Sequence, residues 1–266
     1  MVTGTKVRPG LAPIGKGVLT MSISYEHAMG IVQEFVQEIR EAYPEKLLAV
    51  YTVGSLAGGY YRPGQSNIDT AVLADATPEE LEELREEIES IAAGYCEEYQ
   101  IPMGLGVTVL SREELYPPYD PQEELPWAIL RLKCQSQPVW GSYDLDGIPM
   151  PDKASIVAGE NAHEDRRAME LPASFQDMSC AVTVNGIFRM LKRYLIIGCG
   201  LVELDKRRVV REIWERSPAF LDREALTLVE KVLDQGTDAV DGQELARLQQ
   251  WHEALRREIN QTLLGR

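Results

Sequence analysis

The pair Gly54-Ser55 directly follows the apolar run Leu47 to Val53, and after an interval of eleven residues the chain reads Asn67-Ile68-Asp69. A turn of small residues at a strand end lets backbone N–H groups approach phosphate oxygens unobstructed. Alternation on the next strand puts residues 67 and 69 on one face. Two carboxylates at such positions would hold magnesium against a nucleoside triphosphate, neutralising charge and aligning nucleophile with leaving group. Here position 67 is an amide, so Asp69 is the one carboxylate of the pair.

The elements that must position these residues are legible from periodicity. Ala28, Ile31, Val32, Phe35, Val36 and Ile39 recur at helical spacing, so 25–42 is predicted as a helix. Residues 47–53, about 68–73 and 104–110 are predicted strands, and 56–66 a loop rich in Gly, Tyr and Pro. Between the second and third strands, Thr77-Pro78-Glu79-Glu80 opens a helix. Thr77 can cap, Pro78 suits the first helical position, and Glu80 can reach back. Residues 116–126 read as a loop, 127–134 as helix or strand, and Val139-Trp140-Gly141 as a short strand or turn. Prolines at 149 and 151 and a polar run after Gly159 suggest a boundary, with His163 in a surface loop. Helical segments then cover 176–197, 205–215, 222–234 and 243–263. Their apolar positions, Val182, Ile187, Leu191 and Leu195, then Val209, Val210 and Ile213, need a partner surface.

The stretch Gly54 to Asp69 resembles the nucleotidyltransferase signature, a hydrophobic residue and Gly-Ser followed by Ser-Asp-Ile-Asp, and is most similar to the streptomycin/spectinomycin adenylyltransferases. Leu105-Gly106-Val107-Thr108-Val109 resembles that family's third strand. Trp127 to Leu130, through Val139, Gly141 and Pro149, resembles the end of its catalytic domain. The resemblance implies an α/β fold: a small mixed sheet with flanking helices over residues 23–150, then an all-α helical bundle over 151–266, with 1–22 as an N-terminal tail.

The same resemblance implies site residues. Gly54 and Ser55 would hold phosphate, Asp69 a magnesium ion, and Lys206, within Leu204 to Val210, the triphosphate of ATP. The family's first metal aspartate falls on Asn67, and its catalytic glutamate on Gly106, which can take no proton. Glu113 and Glu114 are nearby acids that could supply a base instead. A family aromatic contact to the aminoglycoside falls near Ala173 and an acidic one near Asp177.

Composition bounds the rest. Forty-two acidic residues against 27 basic give a net charge of −15, which repels phosphate backbones and excludes a nucleic-acid partner. That surface would suit a small cationic acceptor, or serve solubility alone. No CxxC pair or zinc spacing is present, and Cys96, Cys134, Cys180 and Cys199 read as apolar residues of a reducing compartment. No signal peptide or membrane span is visible, so a cytoplasmic location is expected. Three functions fit: transfer of AMP from Mg-ATP to a hydroxyl of a small acceptor such as an aminoglycoside, weakened or lost in this chain; a pseudoenzyme binding a nucleotide or other small ligand; and, more remotely, a toxin–antitoxin-type partner.

Overall fold

The computed structural model describes residues 23–63, 66–101, 104–120, 125–170 (163–170 as backbone), 180–201 and 204–265. Helix α1 (Tyr25–Ala42) starts where the Ser24 side chain accepts the His27 N–H, and it buries the six apolar residues that set its period. Strands β1 (Leu47–Val53) and β2 (Ile68–Ala74) pair antiparallel, with Val53 opposite Asp69. Helix α2 (Pro78–Glu98) begins in the reciprocal Thr77–Glu80 capping box and carries the chain over to β3 (Leu105–Ser111), parallel to β2. The 127–134 segment is helical: α3 (Leu125–Cys134) leads into β4 (Ser136–Gly141), which pairs antiparallel with β1. The sheet order is β3-β2-β1-β4.

Strand alternation sorts the sheet into two faces. Val50, Ile68, Val72, Leu105 and Val109 pack with α1 and α2. Ala49, Tyr51, Val53, Ala71, Leu73 and Leu110 pack with Ile129 and Leu132 of α3. Asp69 has the parity of Ala71 and Leu73, so it emerges on the α3 face.

Helix α4 (Lys153–Glu170) corrects the reading of a polar boundary run, and His163 lies within it rather than in a loop. The Asp152 carboxylate caps the first turn through the Ser155 N–H (2.9 Å) and hydroxyl (2.7 Å). After Gly159 the run is free of Gly and Pro and rich in helix formers. Next come α5 (Cys180–Arg193), ending in a π turn over Tyr194–Gly198, then α6 (Lys206–Arg216), α7 (Arg223–Gln235) and α8 (Gly242–Leu264). Their apolar faces share one core with Ile156 and Val157 of α4 and Leu130 of α3. Helix α3 is thus held on one side by the sheet and on the other by the helices. Val182 departs from expectation at 40% exposure, because the buried stripe of α5 runs through Val184, Ile187, Phe188 and Leu191 and leaves position 182 off it. Residues 1–22, Ala173 and Asp177 lie outside the described residues. No helix among the described residues is long and apolar enough to cross a membrane.

Candidate functional site

The β1–β2 connection needs a sharp turn, and Gly54 makes it at φ +70, a conformation that side chains disfavour. Its N–H donates to the Gln135 carbonyl at 2.9 Å, tying the turn to the segment after α3. Ser55, Asn67 and Asp69 then line, with Gly54, one cavity of about 390 Å³. Its opposite wall comes from the helical half: Glu160 of α4, Arg189 and Lys192 of α5, and Asp205 and Lys206 at the start of α6.

The structure therefore brings together five of the residues singled out in the sequence: Gly54, Ser55, Asn67, Asp69 and Lys206. Gly106 sits beside them, opposite Asp69 in the parallel ladder, and a Cβ there would lie 3.0 Å from Asp69 Oδ1. Glu114 does not supply the missing carboxylate. It is tied to Arg85 at 2.6 Å and to the Ser111 N–H at 2.8 Å, and neither it nor Glu113 lines the cavity.

Apart from Lys206, sequence reasoning missed the basic side chains. Arg62, Arg131, Arg189, Lys192 and Lys206 meet only Asp69, Glu160 and Asp205 as acids in this lining, so the cleft is cationic although the chain is strongly acidic. The total charge of the chain gave no sign of this cationic wall. A helical reading of 127–134 would have flagged Arg131, one turn beyond Trp127 on the same face. Arg189 and Lys192, spaced i, i+3, form a polar stripe beside the apolar face of α5.

The charges are set by their neighbours. Arg131 Nη2 donates to Asp69 Oδ2 at 2.8 Å, and Asn67 Nδ2 donates to Asp69 Oδ1 at 2.5 Å. Both carboxylate oxygens thus receive N–H donors. Lys206 donates to Asn185 Oδ1 at 2.8 Å and sits over the Phe188 ring. Burial pushes its ammonium below the usual lysine range, and Arg62 adds to this. Burial pushes Lys192 further, to about 8, helped by the Lys206 and Arg131 cations and opposed by Asp205 and Asp69.

Magnesium is the metal implied for such a motif, and the donor set does not fit it. The ion prefers charged oxygens in near-octahedral array. Here the motif offers one carboxylate, already ion-paired to a guanidinium, with an amide beside it and a glycine opposite. Among the described residues no group of three or more His, Cys, Asp or Glu side chains could hold a metal ion.

Residues 32–116 match the model of the nucleotidyltransferase domain family. Among solved structures, the chain is similar to spectinomycin adenyltransferase AAD(9) from Enterococcus faecialis, determined with ATP and spectinomycin. That match has a TM-score of 0.57 at 15% identity and covers 89% of this chain and 99% of that one. A toxin–antitoxin structure with AMP-PNP matches over 54% of this chain and 92% of that chain at 15% identity, with a TM-score of 0.27. No curated protein matches the sequence. The chain has a nucleotidyltransferase fold that resembles that of the aminoglycoside adenylyltransferases.

Proposed function

We propose that the cleft binds a nucleoside triphosphate, ATP by the resemblance, and that transfer of AMP to a hydroxyl of a small acceptor such as an aminoglycoside is weakened or lost in this chain. The observation that carries this reading is the state of Asp69: both of its oxygens accept N–H donors, from Asn67 and Arg131, and the facing position is Gly106. Binding needs none of the missing carboxylates. The Gly54-Ser55 turn, Arg131, Lys192 and Lys206 present donors and positive charge suited to phosphate oxygens. We further assign the sheet-bearing part, about 23–150, to one wall of this site and residues from 151 onward to the other. The location is proposed as cytoplasmic, where ATP is available.

A calorimetric titration with ATP tests binding, and pyrophosphate release in the presence of streptomycin or spectinomycin tests transfer. Saturable binding without turnover is expected. Turnover on the order of 1 per second or more, an ordinary enzyme rate, would overturn the loss of activity.

Glu160 favours a second reading. The residue is only 9% exposed and lines the wall of the same cavity. It could take the proton of an acceptor hydroxyl as that oxygen bonds to the α-phosphorus and pyrophosphate leaves. Any residual transfer that survives in this chain should then disappear in Glu160→Gln.

A further inference from the structure

We propose that Arg131 stands in the charge position of a divalent cation, so that the cleft holds the phosphates of a nucleoside triphosphate without magnesium. This rests on the nucleotide-binding reading above and adds its mode of charge compensation.

Three observations converge. First, the guanidinium is on the motif carboxylate, 2.8 Å from Asp69 Oδ2. Second, it lies directly over the phosphate-side turn: a Cβ built on Gly54 would be 2.6 Å from Arg131 Nη2 and 3.3 Å from Asp69 Oδ2. Glycine at 54 therefore makes room for the arginine as well as for the turn, and the cation stands against both the carboxylate and the turn. Third, its helix is clamped, because Ile129 and Leu132 are buried against the sheet and Leu130 against the helical core. Arg131 is thus built into the site.

The chemistry suits the role. A metal ion bridges a carboxylate and phosphate oxygens through its positive charge. A guanidinium has several N–H donors in a planar fork, so it can donate to Asp69 with one edge and to a phosphate with another. It brings one charge where magnesium brings two, and Lys192 in the same cavity supplies the second. With those cations in place, an incoming magnesium ion would be repelled and would find only one carboxylate.

The test is titration of the full chain with ATP, and separately with inorganic triphosphate, in EDTA and then in excess magnesium. Affinity in EDTA equal to or tighter than that in magnesium is expected, because magnesium removes negative charge from the ligand. Tightening by magnesium of about tenfold or more, the scale of a metal that bridges protein and phosphate, would overturn the inference and leave nucleotide binding standing. Absence of ATP binding in either condition would overturn nucleotide binding itself, and the inference with it. Arg131→Gln, checked for folding by its melting curve, should weaken ATP binding in EDTA about tenfold, consistent with loss of one charge-assisted contact. It should also make binding respond to magnesium. Unchanged affinity in EDTA with that variant would count against the proposal.

Discussion

Arg131 Nη2 and Asp69 Oδ2 stand 2.8 Å apart, joining the helix wedged between sheet and helical half to the strand that carries the motif. The two side chains are only 26% and 20% exposed, so solvent screens the pair weakly. It should therefore control whether a carboxylate added at position 67 can recruit a metal. Asn67→Asp alone is expected to give no stabilisation by manganese or magnesium, because Arg131 can bridge both carboxylates. Asn67→Asp with Arg131→Gln should melt lower than the parent in EDTA, from the two adjoining negative charges, and recover several degrees with manganese, at roughly 2–4 °C per kcal/mol for a chain of this size. Thermal melts across a manganese series check this. A metal response from the single variant would show that the guanidinium does not block the site.

Much of this frame is legible in the residues. The helical period of Ala28 to Ile39, the Thr77–Glu80 box and the Leu47 to Val53 run each obey a local rule, and each forms the element that rule names. The parity of 67 and 69 placed both side chains toward the cleft for the same reason. What escaped was long-range. Nothing near Arg131 in sequence reveals that its partner is 62 residues away, because that contact depends on α3 crossing the Asp69 face. Lys192 carries no local signal of its place, because the cavity it lines with Gly54 and Asp69 forms only when the helical half is folded over the motif. Helix α4 was obscured by a polar composition that suits a solvated helix face as well as a loop.

Arg193 is the largest buried polar side chain in the helical half, 1% exposed. Its guanidinium donates to the Val157 carbonyl (3.2 Å), Asn161 Oδ1 (3.2 Å) and Asn260 Oδ1 (2.8 Å), tying α4, α5 and α8 together. Arg193→Met keeps the apolar stem but takes the guanidinium donor from the Val157 carbonyl and Asn260 Oδ1, while Asn161 Oδ1 keeps Arg256 Nε and Asn260 Nδ2. A loss on the order of 3 kcal/mol is expected, the scale for breaking a buried charged hydrogen-bond group. This corresponds to a Tm fall of roughly 6–12 °C at 2–4 °C per kcal/mol. Differential scanning calorimetry measures it, and a fall under about 2 °C would show that the network contributes little.

Lys192 gives phosphate binding a pH dependence. Its ammonium is held down at about 8 by burial and by the Lys206 and Arg131 cations, against the opposing pull of Asp205 and Asp69. A bound polyphosphate adds negative charge and raises that value. Below pH 8 the lysine is already charged and affinity should be flat. Above pH 8 binding must take up a proton, so affinity should fall as pH rises, by at most about tenfold per pH unit for one proton. The lowered Lys206 acts in the same direction. Dissociation constants for ATP in EDTA between pH 7.5 and 9.5 check the slope, and Lys192→Met should flatten most of it while weakening binding at pH 7.5.

Activity is the most consequential expectation. The chain as it stands should show little or no AMP transfer to streptomycin or spectinomycin, since Asp69 is neutralised by Arg131 and Gly106 offers no base. Restoring carboxylates with Asn67→Asp and Gly106→Glu requires only a small shift of a side chain. A Cβ at 106 meets only the Asp69 carboxylate oxygen at 3.0 Å and the Ile68 carbonyl at 3.8 Å, and a side-chain oxygen can give way by a few tenths of an ångström. With Arg131 present, however, both new carboxylates have a guanidinium to pair with, so the double variant should remain close to inactive. Adding Arg131→Gln frees three carboxylates on one face of adjoining strands, the arrangement that holds a metal against a triphosphate. Measurable magnesium-dependent AMP transfer is then expected from the triple variant and not from the parent. A radiolabelled ATP assay comparing the parent, double and triple variants decides between the possibilities. Activity in the double variant would show that Arg131 is no obstacle. Turnover in the parent on the order of 1 per second or more would show that another group, with Glu160 of the cavity wall as the candidate, already performs the chemistry.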